Sequence, residues 1–131
     1  MIRSRRMAEE SGAFCPRFHR AVELIGRRWT GAILRAMLHD AVRFSELRQA
    51  VPGLSDRLLS ERLKELEAEG IVVRVVRPET PVRVEYHLTE KGRALQSVIE
   101  AVSAWAERWI ELPSASPESS HPEEAAATRG R

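Results

Sequence analysis

Arg57, Ser60, Glu61 and Lys64 recur at intervals of three and four along one stretch. At helical spacing, Arg57, Glu61 and Lys64 fall opposite Leu59, Leu63 and Leu66, with Ser60 at the edge of the same face. An arginine fork fits guanine, a serine hydroxyl fits several bases, and a glutamate accepts from a cytosine amine. This face therefore carries groups that read base edges. The plainer reading is a solvated helix face with i,i+4 charge pairs such as Arg57–Glu61. Glu61 on either reading could serve only to orient Arg57.

A second set of cations flanks a proline-rich turn. Arg77 and Arg83 bracket Pro78-Glu79-Thr80-Pro81 and are placed to reach phosphates or a minor groove. Arg74 sits farther from the tip, where it could pair with Glu85 across two strands. Arg43 stands ahead of a short apolar helix, with Ser45 as its expected cap, and can touch phosphate. Ser55 is expected to cap the helix that carries Arg57. All basic residues except Lys64 and Lys91 are arginines, whose planar donor fork suits phosphates and guanine edges. GC-rich codon usage gives the same bias, so the arginine excess alone proves no partner.

Cys15 is the only cysteine, so no internal disulfide framework exists. Pro16 suits the first turn of a helix, which puts Cys15 at or near the N-cap. Unpaired amides, the helix dipole, Arg17 and His19 then surround the sulfur with positive potential, which favours a thiolate reactive toward oxidants and electrophiles. The alternative is a buried, inert cysteine that fills a small apolar site. A disulfide would have to join two subunits or capture a small thiol. Cys15, His19 and Glu23 share one helical face, the geometry of half a metal site, yet the spacing alone does not assign a metal. The remaining histidines, His39, His87 and His121, belong to no nucleophilic triad, and no glycine-rich phosphate loop exists. No catalytic residue, cofactor or enzymatic activity is assigned.

These residues need elements to hold them. The 131 residues suit one domain, and a 43% hydrophobic, 31% charged composition fits a globular chain. No apolar run approaches the ~20 residues of a membrane helix, and the basic start has no apolar segment behind it, so a cytosolic setting is expected. Residues 1–14 read as a basic and polar arm with Arg3, Arg5 and Arg6. Residues 15–112 carry the periodic pattern. Residues 113–131, rich in Pro, Ser, Glu and Ala, read as a disordered tail.

Within the periodic zone, Phe18, Val22 and Ile25 give a first helix its stripe, and Gly26 ends it. Trp29, Ile33, Leu34 and Leu38 point inward from a second helix. Val42 and Arg43 suggest a very short strand. A short helix with Leu47 and Val51, the turn Pro52-Gly53-Leu54, and a longer helix from Ser55 to Glu69 stopped by Gly70 make a helix-turn-helix. Ile71 to Arg77 and Val82 to Leu88 alternate and read as a hairpin, the wing. There Val84, Tyr86 and Leu88 share one face, and Arg83, Glu85 and His87 the other. Thr89 is expected to cap one last helix from about Glu90 to Ile110. Its stripe of Leu95, Val98, Val102, Trp105, Trp109 and Leu112, widened by Ile99 and Ala106, exceeds what a small domain needs for itself. A second copy is the expected partner; the alternative is that the stripe covers the chain's own core. The fold class is α+β, mostly α: a winged helix-turn-helix with N- and C-terminal dimerisation helices.

From Cys15 to Gly92 the chain resembles the HxlR-type regulators. The matching pieces are Cys15-Pro16, Gly26-Arg27-Arg28-Trp29-Thr30, Arg43-Phe44-Ser45-Glu46-Leu47, Leu58-Leu59-Ser60-Glu61-Arg62-Leu63, Arg83-Val84-Glu85-Tyr86 and Thr89-Glu90-Lys91-Gly92. Each is weak alone; their order is specific. Arg28 departs from the family's usual Lys before the Trp. The resemblance implies a homodimer that binds double-stranded DNA at a near-palindromic operator, often as a repressor and sometimes as an activator. It also implies, for some members, sensing of oxidants or electrophiles through the near-N-terminal cysteine. Two other classes remain open on the residues alone: a winged-helix protein-interaction module, and a regulator that answers a metal or small ligand.

Overall fold

The computed structural model describes residues 12–113. Most of the expected arm, and the tail beyond residue 113, lie outside the described residues. In chain order the elements are α1 (Pro16–Ile25), α2 (Thr30–Leu38), α3 (Phe44–Ala50), α4 (Asp56–Ala68), β1 (Val72–Arg77), β2 (Arg83–Leu88), α5 (Glu90–Arg93) and α6 (Gln96–Trp109). The chain divides between Ile99 and Glu100 into two compact units, so α6 begins in one and ends in the other.

Local signals start most of these helices. Cys15 is the N-cap of α1, with Pro16 as its first residue. The Ser55 hydroxyl accepts from the Leu58 N–H at 3.1 Å and opens α4. The start of α3 is a correction. Its N-cap is Arg43, not Ser45, because the Glu46 carboxylate accepts from the N–H groups of both Val42 (2.8 Å) and Arg43 (2.9 Å). That is the carboxylate half of a capping box; arginine has no acceptor to complete the other half. Ser45 thus lies inside the first turn.

The turn between α3 and α4 requires glycine: Gly53 has φ +88, and the Trp29 ring lies against it. Trp29 itself sits at φ 77 just ahead of α2, an uncommon conformation for a bulky residue. It packs against the core, as expected, although its indole N–H is buried without a hydrogen-bond partner.

The core joins Ile33, Leu34 and Met37 of α2 to Leu47, Val51 and Leu54 around the turn. Leu59, Leu63 and Leu66 of α4, and Ile71 and Val72 at the wing base, complete it with Ile99. Met37 takes the inward place expected of Leu38, which is half-buried. The stripe of α1 behaves differently. No residue of α1 is buried, and Phe18 is 69% exposed.

β1 and β2 pair antiparallel from Val72↔Leu88 to Arg77↔Arg83. Arg74 stands opposite Tyr86 and Val75 opposite Glu85, so the expected Arg74–Glu85 pair does not form. The expected Val42–Arg43 strand reduces to one bond, Tyr86 N–H to the Val42 carbonyl at 2.7 Å, because Arg43 already turns into α3. The single last helix is two. Thr89 caps the short α5, and a turn at Ala94–Leu95 separates it from α6. Two antiparallel strands behind a helix-turn-helix make this a winged helix, as the sequence predicts.

Candidate nucleic-acid interface

Leu59, Leu63 and Leu66 anchor α4 in the core, and that leaves Arg57, Glu61 and Lys64 exposed. The Arg57 side chain is 87% exposed, and its Nε approaches Glu61 Oε2 at 3.3 Å. Glu61 thus orients Arg57 through an i,i+4 contact while keeping its own side chain accessible. Ser60 is half-buried on the flank of this face, and Ser55 is exposed at its head. Asp56, the first residue of α4, pairs with Arg48 of α3, which links the two helices of the motif.

At the wing, Arg77 and Arg83 form the last pair of the ladder. Arg83 Nη2 donates to Glu79 Oε2 at 2.7 Å, and Arg77 Nε donates to Glu85 Oε1 at 3.1 Å. His87 Nε2 shares that oxygen at 2.8 Å. These bonds, His87 first and then Arg77, hold the Glu85 carboxyl below its ordinary value of 4.5. A cleft of about 530 Å³ runs between the wing tip and the head of α3, lined by Arg43, Ser45, Glu79 and Arg83 among others. The structure therefore brings Arg43, Ser45 and Arg83 to one cleft and sets Arg57, Glu61 and Lys64 on one helix face.

Cys15 is half-exposed, and its Sγ accepts from the Phe18 N–H at 3.4 Å. His19 is occupied by Glu23 (3.3 Å) and by the Phe14 ring. Among the described residues no group of three or more His, Cys, Asp or Glu side chains is placed to hold a metal.

The expected interface residues separate into two kinds. Leu95 packs partly against the core. Val98, Val102, Trp105 and Trp109 are exposed along one face of α6. In the first unit, Phe18, Val22, Leu24, Ile25, Leu95 and Val98 line an apolar groove of about 350 Å³.

Arg62 has a role that its residue type does not announce. It lies on the buried side of α4, with its side chain 9% exposed. Its Nε donates to the Arg28 carbonyl at 3.0 Å, and its Nη1 donates to Glu65 Oε2 at 3.3 Å. The signal was present in its spacing, three residues after Leu59 and four before Leu66. Arg27 and Arg20 add ion pairs to Glu65 (2.9 Å) and Glu69 (2.6 Å), so α1 and its following loop are tied to α4.

Comparison with known proteins agrees with this fold. The family model described as HxlR-like helix-turn-helix matches residues 24–114. The chain is 54% identical over 97 residues to YvaP of Bacillus subtilis (strain 168), an uncharacterized HTH-type transcriptional regulator; the match covers 74% of this chain and 90% of YvaP. The crystal structure of diamide-treated YodB from B. subtilis superposes with a TM-score of 0.64 at 46% identity, covering 77% of this chain and all of that one. The redox regulator HypR in its oxidized form gives 0.69 at 37% identity, covering 75% and 100%. The family model spans more than half of the chain, and the YvaP match covers most of both proteins. The chain belongs to the HxlR-like helix-turn-helix family of transcriptional regulators.

Proposed function

We propose that this regulator binds duplex DNA as a homodimer at a near-palindromic operator, and that it represses the gene it controls. The observation that carries this reading is the accessible face of Arg57, Glu61 and Lys64 on α4, beside a wing that ends in Arg77 and Arg83. In a dimer the two α4 helices enter successive major grooves, with centres roughly 34–36 Å apart. Arg57, Ser60 and Glu61 meet bases. Ser55, Lys64, Arg43, Ser45, Arg77 and Arg83 meet the backbone. The exposed Val102, Trp105 and Trp109 of α6 in the second unit and the groove beside α1 in the first each support the dimer, because exposed apolar surface of this kind marks a partner site. Footprinting on the DNA around its own gene should show two protected half-sites in one twofold arrangement. Deleting the gene should raise transcription from that promoter. A single protected half-site, or sedimentation as a monomer at micromolar concentration, counts against the dimer.

A second layer is redox control through Cys15. Its half-exposed sulfur at the head of α1 supports this, as do relatives solved as diamide-treated YodB and oxidized HypR. Two thiols would each give up one proton and one electron to diamide, which becomes the hydrazine, and a disulfide forms. With one cysteine per chain that bond joins two subunits, or Cys15 to a small thiol. The operator affinity of the wild type should change on treatment with diamide, and that of Cys15→Ser should not. An unchanged wild-type affinity after confirmed oxidation removes Cys15 from regulation.

A further inference from the structure

Arg77 and Arg83 face each other directly at the open end of the wing. Like charges in opposed positions of a sheet destabilise it, so the free protein gains nothing from the pair itself. One carboxylate answers both. Glu85 lies two residues along β2 on the same face as Arg83, with its side chain 12% exposed. Its Oε1 accepts from Arg77 Nε at 3.1 Å, and its Oε2 lies 3.4 Å from Arg83 Nε, an ion-pair contact without hydrogen-bond geometry. His87 closes the far side of Oε1, and Glu79 holds Arg83 Nη2 toward the tip.

We infer that Glu85 is the positioning residue of the wing: one buried carboxylate that sets Arg77 and Arg83, one from each strand, to grip DNA phosphate. The inference rests on the reading that these two arginines contact DNA. A guanidinium carries five N–H groups: Arg77, engaged through Nε, keeps its terminal amines for a second acceptor, and Arg83, held by the Glu85 charge and by Glu79 at Nη2, keeps Nη1. A free arginine loses rotamer freedom when it binds phosphate; one already held by Glu85 loses less. Electrostatics alone argues the other way, because a carboxylate near the phosphates repels them. The sign of the effect therefore separates positioning from charge.

Binding to a mixed-sequence DNA duplex at low salt, followed by fluorescence anisotropy, reads the backbone contacts without a known operator. Glu85→Gln should bind this duplex roughly threefold to tenfold more weakly than wild type, although it removes a negative charge. Glu85→Asp keeps the charge but is too short to reach both guanidinium groups, and it should also weaken binding. In the Arg77→Ala/Arg83→Ala background, Glu85→Gln should cause no further loss. A merely structural role would not move that cycle to zero. Thermal melting checks that each variant is folded, and Glu85→Asp carries the test if Glu85→Gln is not. Glu85 variants that bind as well as or better than wild type, beside a weakened Arg77→Ala/Arg83→Ala protein, overturn the positioning role and leave the wing contact standing. Unchanged binding by Arg77→Ala/Arg83→Ala overturns both.

Discussion

Arg62 of α4 donates through Nε to the backbone carbonyl of Arg28 at 3.0 Å, which ties the helix to the loop ahead of α2. The side chain is nearly buried and is also held by Glu65. An arginine there fixes the helix by direction as well as by packing.

Replacing Arg62 with Met keeps much of the packing and removes the donors. The Arg28 carbonyl then loses its partner. The expected cost is about 1–3 kcal/mol of stability, read by urea unfolding. Lys should not restore it, because one ammonium cannot reproduce the Nε and Nη1 pair. If Arg62→Met is as stable as wild type, the tie is incidental.

Arg57 and Arg83 should fail differently. Arg57→Ala should cost ~1–3 kcal/mol on the cognate operator and relax the preference among base pairs. Arg83→Ala should weaken operator and random duplexes alike and flatten the salt dependence. Equal operator binding by Arg57→Ala and wild type would mean that another face of α4 enters the groove.

Trp105 and Trp109 lie one turn apart and are 58% and 62% exposed. Changing both to Ser should shift the protein from dimer to monomer in sedimentation velocity and lower operator affinity, since each half-site would then bind alone. A dimer that persists places the interface elsewhere, with the groove beside α1 as the next surface to disrupt.

How much of this was legible in the sequence depends on how local each signal is. Pro52-Gly53 and Ser55 announce the helix-turn-helix because a turn and a cap act within a few residues. β1 and β2 are legible from alternation, but the burial of Glu85 is not, because alternation cannot show that Arg77 and His87 fold over it. Ser45 looked like the cap of α3 because its residue type fits, yet Glu46 reaches back and moves the start to Arg43. The stripe of α1 was visible in the spacing, but periodicity alone does not say whether a stripe is buried in its own core; Phe18 and Val22 are exposed. The break at Ala94–Leu95 carries no proline or glycine of its own and follows from tertiary packing. Gly92 lies so close to the Ile71 carbonyl that an added Cβ would meet it at 2.3 Å, which pins α5 to the wing base before α6 sets out.

The head of α3 should be sensitive to acid. The Glu46 carboxyl is held below its ordinary value of 4.5, first by the Arg43 N–H and then by the Val42 N–H, both of which prefer the ionised form. A depressed carboxyl stabilises the fold at pH above its unfolded value, and the contribution is lost as pH falls through the folded one. Glu46→Ala should therefore be less stable than wild type at neutral pH, and the gap should narrow as the pH drops below 4.5. Glu85 is depressed as well, by His87 and then Arg77, so both proteins lose stability in acid and only their difference isolates Glu46. Urea midpoints measured across that range give the difference directly. A gap that stays constant into acid would show that packing of the Glu46 side chain, rather than its charge on two backbone N–H groups, opens the helix-turn-helix.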